Sequence, residues 1–225
     1  MRTVLALLTV GTLAAVFFRP VHRAVAQSPP LVIVDDEASI EELIPLLTQG
    51  DGKAVLERAD VYDDGRNGPT ALRIESKGGD FQKYRTSMPG WEYLIREQPS
   101  REDEFRYITF AWRKQGGTGV QFQLHGVPGF WGHRYHAGEN MQGWLPSIQV
   151  SVDRADDWEV HTRDLVADWG EFVLRGIAFT PGSLDFAMFD HVALHQSEED
   201  PLRPQAVDAA GKLAAVWAGI KQDIR

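Results

Sequence analysis

The sequence predicts an all-β fold, an antiparallel β-sandwich or jelly roll with a short helix at each end. Three observations carry this. Short runs rich in aromatic and β-branched residues recur through the middle of the chain, and clusters of turn-forming residues separate them. No stretch between the runs has room for the helical crossovers that a parallel α/β sheet requires. At 225 residues, 43% hydrophobic and 10% aromatic with seven Trp, the chain is long and apolar enough for one domain with a full core.

The elements follow in order. Arg2 precedes an apolar run over residues 4–18, and Ala24-Val25-Ala26 supplies small residues before Gln27. This reads as a signal peptide over residues 1–26, because the run is short of the ~20 apolar residues that span a bilayer. Residues 27–52 read as a linker and a short helix. Asp35, Asp36 and Glu37 begin that helix, Ile40, Leu43, Ile44, Leu46 and Leu47 give its apolar side, and Pro45 and Gly50 limit it. Residues 53–202 form the β-sandwich domain. Turn formers fill residues 63–69, and residues 70–75 and 105–112 read as strands. After the Gly-rich turn at 116–119, residues 120–125 alternate strictly. Val120, Phe122 and Leu124 face one way, and Gln121, Gln123 and His125 the other. Residues 148–152, 158–162, 172–180 and 184–194 complete the set. Residues 203–225 read as a C-terminal helix carrying Leu213, Val216, Trp217 and Ile220 on one face, to cover the sandwich edge or to dock on another subunit.

Composition narrows the function. A formal charge of −9, with three arginines (Arg2, Arg19, Arg23) inside the signal segment, sets the mature chain against phosphate backbones and anionic lipid. Neither nucleic acid nor, after signal cleavage, a membrane is an expected partner. The absence of Cys removes disulfides, thiolate catalysis, Cys-ligated zinc and covalent haem attachment. No phosphate loop marks a nucleotide site. The expected location is the periplasm or the exterior.

Residues 61–202 also carry a resemblance. Its landmarks are Pro89-Gly90-Trp91-Glu92-Tyr93, Phe105-Arg106-Tyr107-Ile108-Thr109-Phe110-Ala111-Trp112, Gly116-Gly117-Thr118-Gly119 and Arg134-Tyr135-His136-Ala137-Gly138. Further along stand Trp158-Glu159-Val160-His161-Thr162-Arg163-Asp164-Leu165, Leu174-Arg175-Gly176-Ile177 and Phe189-Asp190-His191. Together they resemble an accessory domain of exported bacterial proteins that often sits beside c-type cytochrome and membrane-bound dehydrogenase-like domains. The pattern is also similar to galactose-binding-like jelly rolls, a group that includes many carbohydrate-binding modules. This resemblance implies a non-catalytic ligand-binding module with a polysaccharide or glycan as its partner. The alternative is an accessory subunit that assembles with an exported redox or hydrolytic protein.

Residues 125–144 concentrate the candidate binding groups. Trp131, Tyr135 and Trp144 offer aromatic faces for the C–H patches of a sugar, and Gln121, Gln123, His125 and Arg134 offer polar contacts. The jelly-roll resemblance further implies a structural calcium, which pairs an early acidic loop with an acid on the last strand. Glu57, Asp60 and Asp63, with Asp64 beside them, supply the first part and Asp190 the second. A polysaccharide lyase would need a base, a proton donor and a cation at one point. His133, Arg134, Tyr135 and His136 are the right types, but adjacent strand residues alternate in direction and converge only across a bulge.

Overall fold

A computed structural model describes residues 28–59, 61–62, 70–77, 81–182 and 184–203. The signal segment, almost all of the C-terminal helix, and Asp60, Asp63 and Asp64 lie outside the described residues.

The chain begins with β1 (Leu31–Val34) and α1 (Glu37–Leu43). Asp36 caps α1 by accepting from the Ser39 amide at 2.8 Å, and Ser39 Oγ accepts from the Asp36 amide at 3.0 Å. This reciprocal box satisfies two donors that a helix start leaves open. A single 3-10 turn carrying Pro45 follows, so the helix stops where the proline was expected to stop it. Then come β2 (Lys53–Glu57), β3 (Ala71–Glu75), β4 (Lys83–Arg85), β5 (Tyr93–Ile95), β6 (Glu104–Phe105), β7 (Tyr107–Gln115), β8 (Gly119–Val127), β9 (Phe130–Gly138), β10 (Ile148–Ser151) and β11 (Glu159–Asp164). A short helix, α2 (Leu165–Trp169), leads to β12 (Phe172–Thr180) and β13 (Phe186–His195).

Two sheets result. The first runs β11-β7-β13-β3-β2, with β1 also on β13. The second runs β10-β9-β8-β12-β5-β6, with β4 also on β12. Most pairs are antiparallel, as expected of a sandwich, but β10 lies parallel to β9 and β6 parallel to β5. Leu31–Val34, read as linker, is a sandwich strand: it pairs antiparallel with β13 across Leu31 and Leu194. Its Pro-Pro lead-in and its four-residue length concealed it.

The core lies between the sheets and is aromatic. Phe110 and Phe189 enter from the first sheet, Phe122 and Phe179 from the second. Their ring centroids form a chain: Phe110 to Phe122 at 5.1 Å, Phe122 to Phe179 at 5.5 Å, Phe179 to Phe189 at 5.0 Å. All four are fully buried, each contributing roughly 2–3 kcal/mol of burial free energy. Val120 and Leu124 join Phe122 in this layer, as the alternation of β8 predicted.

One level of the second sheet is irregular. Between Leu124 and Gly126, both neighbours of β8 carry an extra residue. On β9, Trp131 and Gly132 stand between partners His133 and Phe130. On β12, Arg175 stands between Gly176 and Leu174. Each bulge reverses the inside–outside order of the residues beyond it. Gly176 belongs to the same feature, since a Cβ there would come within 2.3 Å of the Arg85 carbonyl and 2.4 Å of the Thr86 carbonyl. Only a glycine lets the chain after β4 lie this close over β12.

Candidate binding cleft

The outer face of the second sheet carries a cleft of about 220 Å³ lined by Gln82, Tyr84, Gln123, Trp131, Arg134 and Trp144. Four of the seven residues singled out from sequence, Gln123, Trp131, Arg134 and Trp144, meet here.

The floor is built by register. Gln123 stands opposite Arg134 on β9 and opposite Ala178 on β12, and Ala178 in turn stands opposite Tyr84 on β4. The Gln123 amide donates to Thr180 Oγ1 at 2.7 Å and to Gln82 Oε1 at 3.1 Å. That fixes its orientation, so its carbonyl oxygen accepts from Arg134 Nε at 2.7 Å. Arg134 Nη1 donates to the Pro146 carbonyl at 3.3 Å. The guanidinium is therefore held by a neutral network on two of its edges.

Aromatic rings form the walls. Trp131 meets Tyr84 edge-on at 5.5 Å and 88°, and the His125 ring at 4.9 Å. Trp144 stands on the other side of Arg134, whose Cζ lies 5.6 Å from the indole centroid. Trp131 and Arg134 are three residues apart on one strand, a spacing that would normally put them on opposite faces. The β9 bulge between them restores them to the same face.

The remaining three candidates take other places. His125 is buried beneath Trp131 and steadies it; burial, then the charge of Arg175, holds its imidazole below the ordinary value. Gln121 is 0% exposed and donates to Asn140 Oδ1 at 2.5 Å, while Asn140 Nδ2 donates to the Trp144 carbonyl at 2.8 Å. Gln121 thus positions Trp144 instead of lining the cleft. Tyr135 points the opposite way, into the core, where it is 0% exposed. Its hydroxyl donates to Asp168 Oδ2 at 2.7 Å, and its ring stacks on Phe110 at 5.5 Å. Burial, reinforced by Asp168, pushes its phenol well up. As a ligand contact Tyr135 is corrected: it is next to Arg134 in an extended strand, so it must face the other side.

The same alternation separates the four residues of a lyase-like centre. His133 and Tyr135 face the core, with His133 stacked on Phe172 at 4.0 Å, whereas Arg134 and His136 face out.

The candidate calcium ligands are only partly described. Glu57 Oε1 accepts from the Arg58 and Ala59 amides at 2.9 and 3.0 Å, and Oε2 lies 3.1 Å from Arg73 Nη1. Asp190 is 4% exposed, and its Oδ1 accepts from the His191 amide at 2.7 Å. Among the described residues, no group of three or more His, Asp or Glu is arranged to hold a metal ion.

Sequence reasoning missed Gln82 and Tyr84. Tyr84 sits in a three-residue strand and Gln82 just before it, some forty positions upstream in a polar stretch with no alternation to reveal it.

By sequence, the chain matches no protein family and no curated protein. Solved structures give distant likenesses. The family 11 carbohydrate-binding module of a cellulosomal cellulase of Clostridium thermocellum aligns over 76% of this chain and 96% of its own, at 11% identity and a TM-score of 0.40. A family 30 module of another cellulosomal cellulase of Clostridium thermocellum covers 77% and 96%, at 13% identity and a TM-score of 0.39. The family 11 module has also been solved in complex with a β-1,3-1,4-mixed-linked tetrasaccharide; that structure covers 66% of this chain and 86% of its own, at 11% identity and a TM-score of 0.35. At scores this low, the sandwich is read from its own strands, and the cleft from its own residues.

Proposed function

We propose that this chain is an exported, non-catalytic carbohydrate-binding module whose site is the cleft of Tyr84, Trp131 and Trp144. The observation that carries the reading is the convergence of three aromatic rings on a fixed polar floor of Gln82, Gln123 and Arg134. Aromatic faces hold the C–H side of a sugar ring, and amides with fixed hydrogen-bond direction sort its hydroxyls. The volume of about 220 Å³ lies below the ~300–1,000 Å³ of sites for drug-sized ligands, which suits one sugar residue of a longer chain.

Affinity electrophoresis of the purified chain through gels containing different polysaccharides tests this. Retardation by at least one polymer, lost when Trp131 and Trp144 are replaced by Ala while the thermal melt is retained, is the expected result. Free migration of the folded chain through every gel overturns the reading and favours an accessory subunit of an exported complex.

A structural calcium is a separate proposal. With Glu57 tied to Arg73, the weight falls on Asp190 and the acidic residues Asp60 and Asp63. A chelator should then lower the melting temperature, and added calcium restore it. An unchanged melt removes calcium from the account.

A further inference from the structure

Arg134, with the nearby Arg85 that donates only to the Ser87 and Leu46 carbonyls, stands apart from most arginines of the sandwich. Arg73, Arg96, Arg106, Arg163 and Arg175 each lie within 3.5 Å of a carboxylate oxygen. Arg134 has no carboxylate partner among the described residues; it is bonded only to the Gln123 and Pro146 carbonyl oxygens. These two bonds commit Nε and one Nη1 hydrogen, leaving the Nη1–Nη2 edge for the cleft. A half-buried guanidinium in a chain with 32 acidic residues would ordinarily acquire one of them. Here the sheet register supplies amides and rings instead, and the positive charge is left for something that arrives from outside.

We propose that the cleft selects an anionic sugar, a ring bearing a carboxylate or a sulfate ester, and that Arg134 receives its charge. This rests on the glycan reading above and narrows it. The planar fork of arginine suits both groups, because each presents two oxygens to two parallel N–H bonds. Trp131 and Trp144 then hold the ring, while Gln82 and Gln123 face its hydroxyls. The net negative charge of the chain opposes polyanions at long range, but two further cations stand near the cleft. Arg85 lines a depression in which Arg175 is paired with Glu92, and Lys83 precedes Tyr84 on β4.

The experiment uses the full chain and two pairs of polymers. One pair is polygalacturonate and its carboxyl-reduced, neutral form; the other is a sulfated galactan and its desulfated form. The charged member of one pair should bind about 10- to 100-fold more tightly than its neutral counterpart, the usual range for a charge-assisted hydrogen bond. Arg134→Gln should erase that difference, so that the charged and neutral members of the pair bind with the same affinity. The pair that responds tells carboxylate from sulfate. Equal binding of charged and neutral polymers overturns the anionic selection while the glycan reading stands. Binding to none of the four, nor to any neutral polysaccharide in the wider gel panel, overturns both. Should Arg134→Gln fail to fold, the comparison of charged and neutral polymers on the unaltered chain decides alone.

Discussion

The two outer faces of the sandwich each present an arginine beside an aromatic ring, and they treat it in opposite ways. On the first sheet, Arg73 lies with its Cζ 3.8 Å from the Phe186 centroid, and Glu57 and Glu75 close on it at 3.1 and 3.5 Å. On the second, Arg134 lies 5.6 Å from the Trp144 centroid and is bonded to neutral oxygens only. The first arrangement is electrically complete: two carboxylates neutralise the guanidinium that stacks on the ring. The second is rigid but electrically incomplete. A surface arginine is informative about function only when its partners are counted, since the ring contact alone occurs on both faces.

The largest expected effect comes from a residue on neither outer face. Tyr135→Ala removes a core ring and the hydroxyl that steadies Asp168 on α2, and should cost about 3–5 kcal/mol of stability. Chemical denaturation measures it. Under conditions where this variant is folded, its affinity for glycan should match that of the unaltered chain. A selective loss of affinity with normal stability would return Tyr135 to the cleft. Next come Trp131→Ala and Trp144→Ala, each expected to weaken glycan binding by roughly 2–4 kcal/mol, as central aromatic anchors do. Titration calorimetry reads the loss, and a change below tenfold at both positions would place the ligand elsewhere.

These variants also probe what the sequence made legible. The alternation in β8 was plain, so its core face and its polar face were both readable. Strand β9 was harder. Gly132 interrupts it, Gly129 and Gly138 bound it, and its mixture of aromatic, basic and small residues kept it out of the strands read from the sequence. Once it is a strand, strict alternation excludes Tyr135 from the cleft, but would also have excluded either Trp131 or Arg134. The extra residue that reconciles those two is a property of pairing with β8, visible only when both strands are aligned. Tyr84 and Gln82 depend on a still longer-range event, the docking of a three-residue strand onto β12 beside Gly176. The sequence thus revealed the sandwich and four of the six cleft residues. The other two are placed by contacts between segments remote in sequence.

A smaller effect sharpens the comparison of arginines directly. Arg73→Gln breaks a half-exposed carboxylate network and should lower stability by about 1 kcal/mol without touching glycan affinity. Arg134→Gln exchanges bonds to neutral oxygens for similar ones, and should shift the denaturation midpoint less than Arg73→Gln does. The reverse ranking would mean that Arg134 serves the fold and Arg73 does not, and the contrast between the faces would collapse.

The gentlest expected effect is on pH dependence, and it involves histidines on both faces and in the core. Burial is the first cause that holds His125, His133, His136, His161 and His195 below the ordinary histidine value of 6.5. In the unfolded chain they take up protons near 6.5, whereas in the folded chain they resist until a lower pH. Between those limits the unfolded state binds more protons, so stability is complete above about pH 6.5 and declines as pH falls toward the folded values. Carboxylates add a second, more acidic stage. Glu57 is held below its ordinary 4.5 by the Ala59 amide first and, against the opposing effect of burial, by Arg73, so its contribution disappears only below that pH. Urea midpoints measured at pH 7.5, 5.5 and 4 should therefore fall in two steps. The buried His133, stacked on Phe172 and touching Trp169, belongs to the first step, and His133→Gln should shallow it while leaving the second intact. A midpoint unchanged between pH 7.5 and 5.5 would mean that these imidazoles titrate as they do in water, and that the packing around His133 and beneath Trp131 is looser than their burial requires.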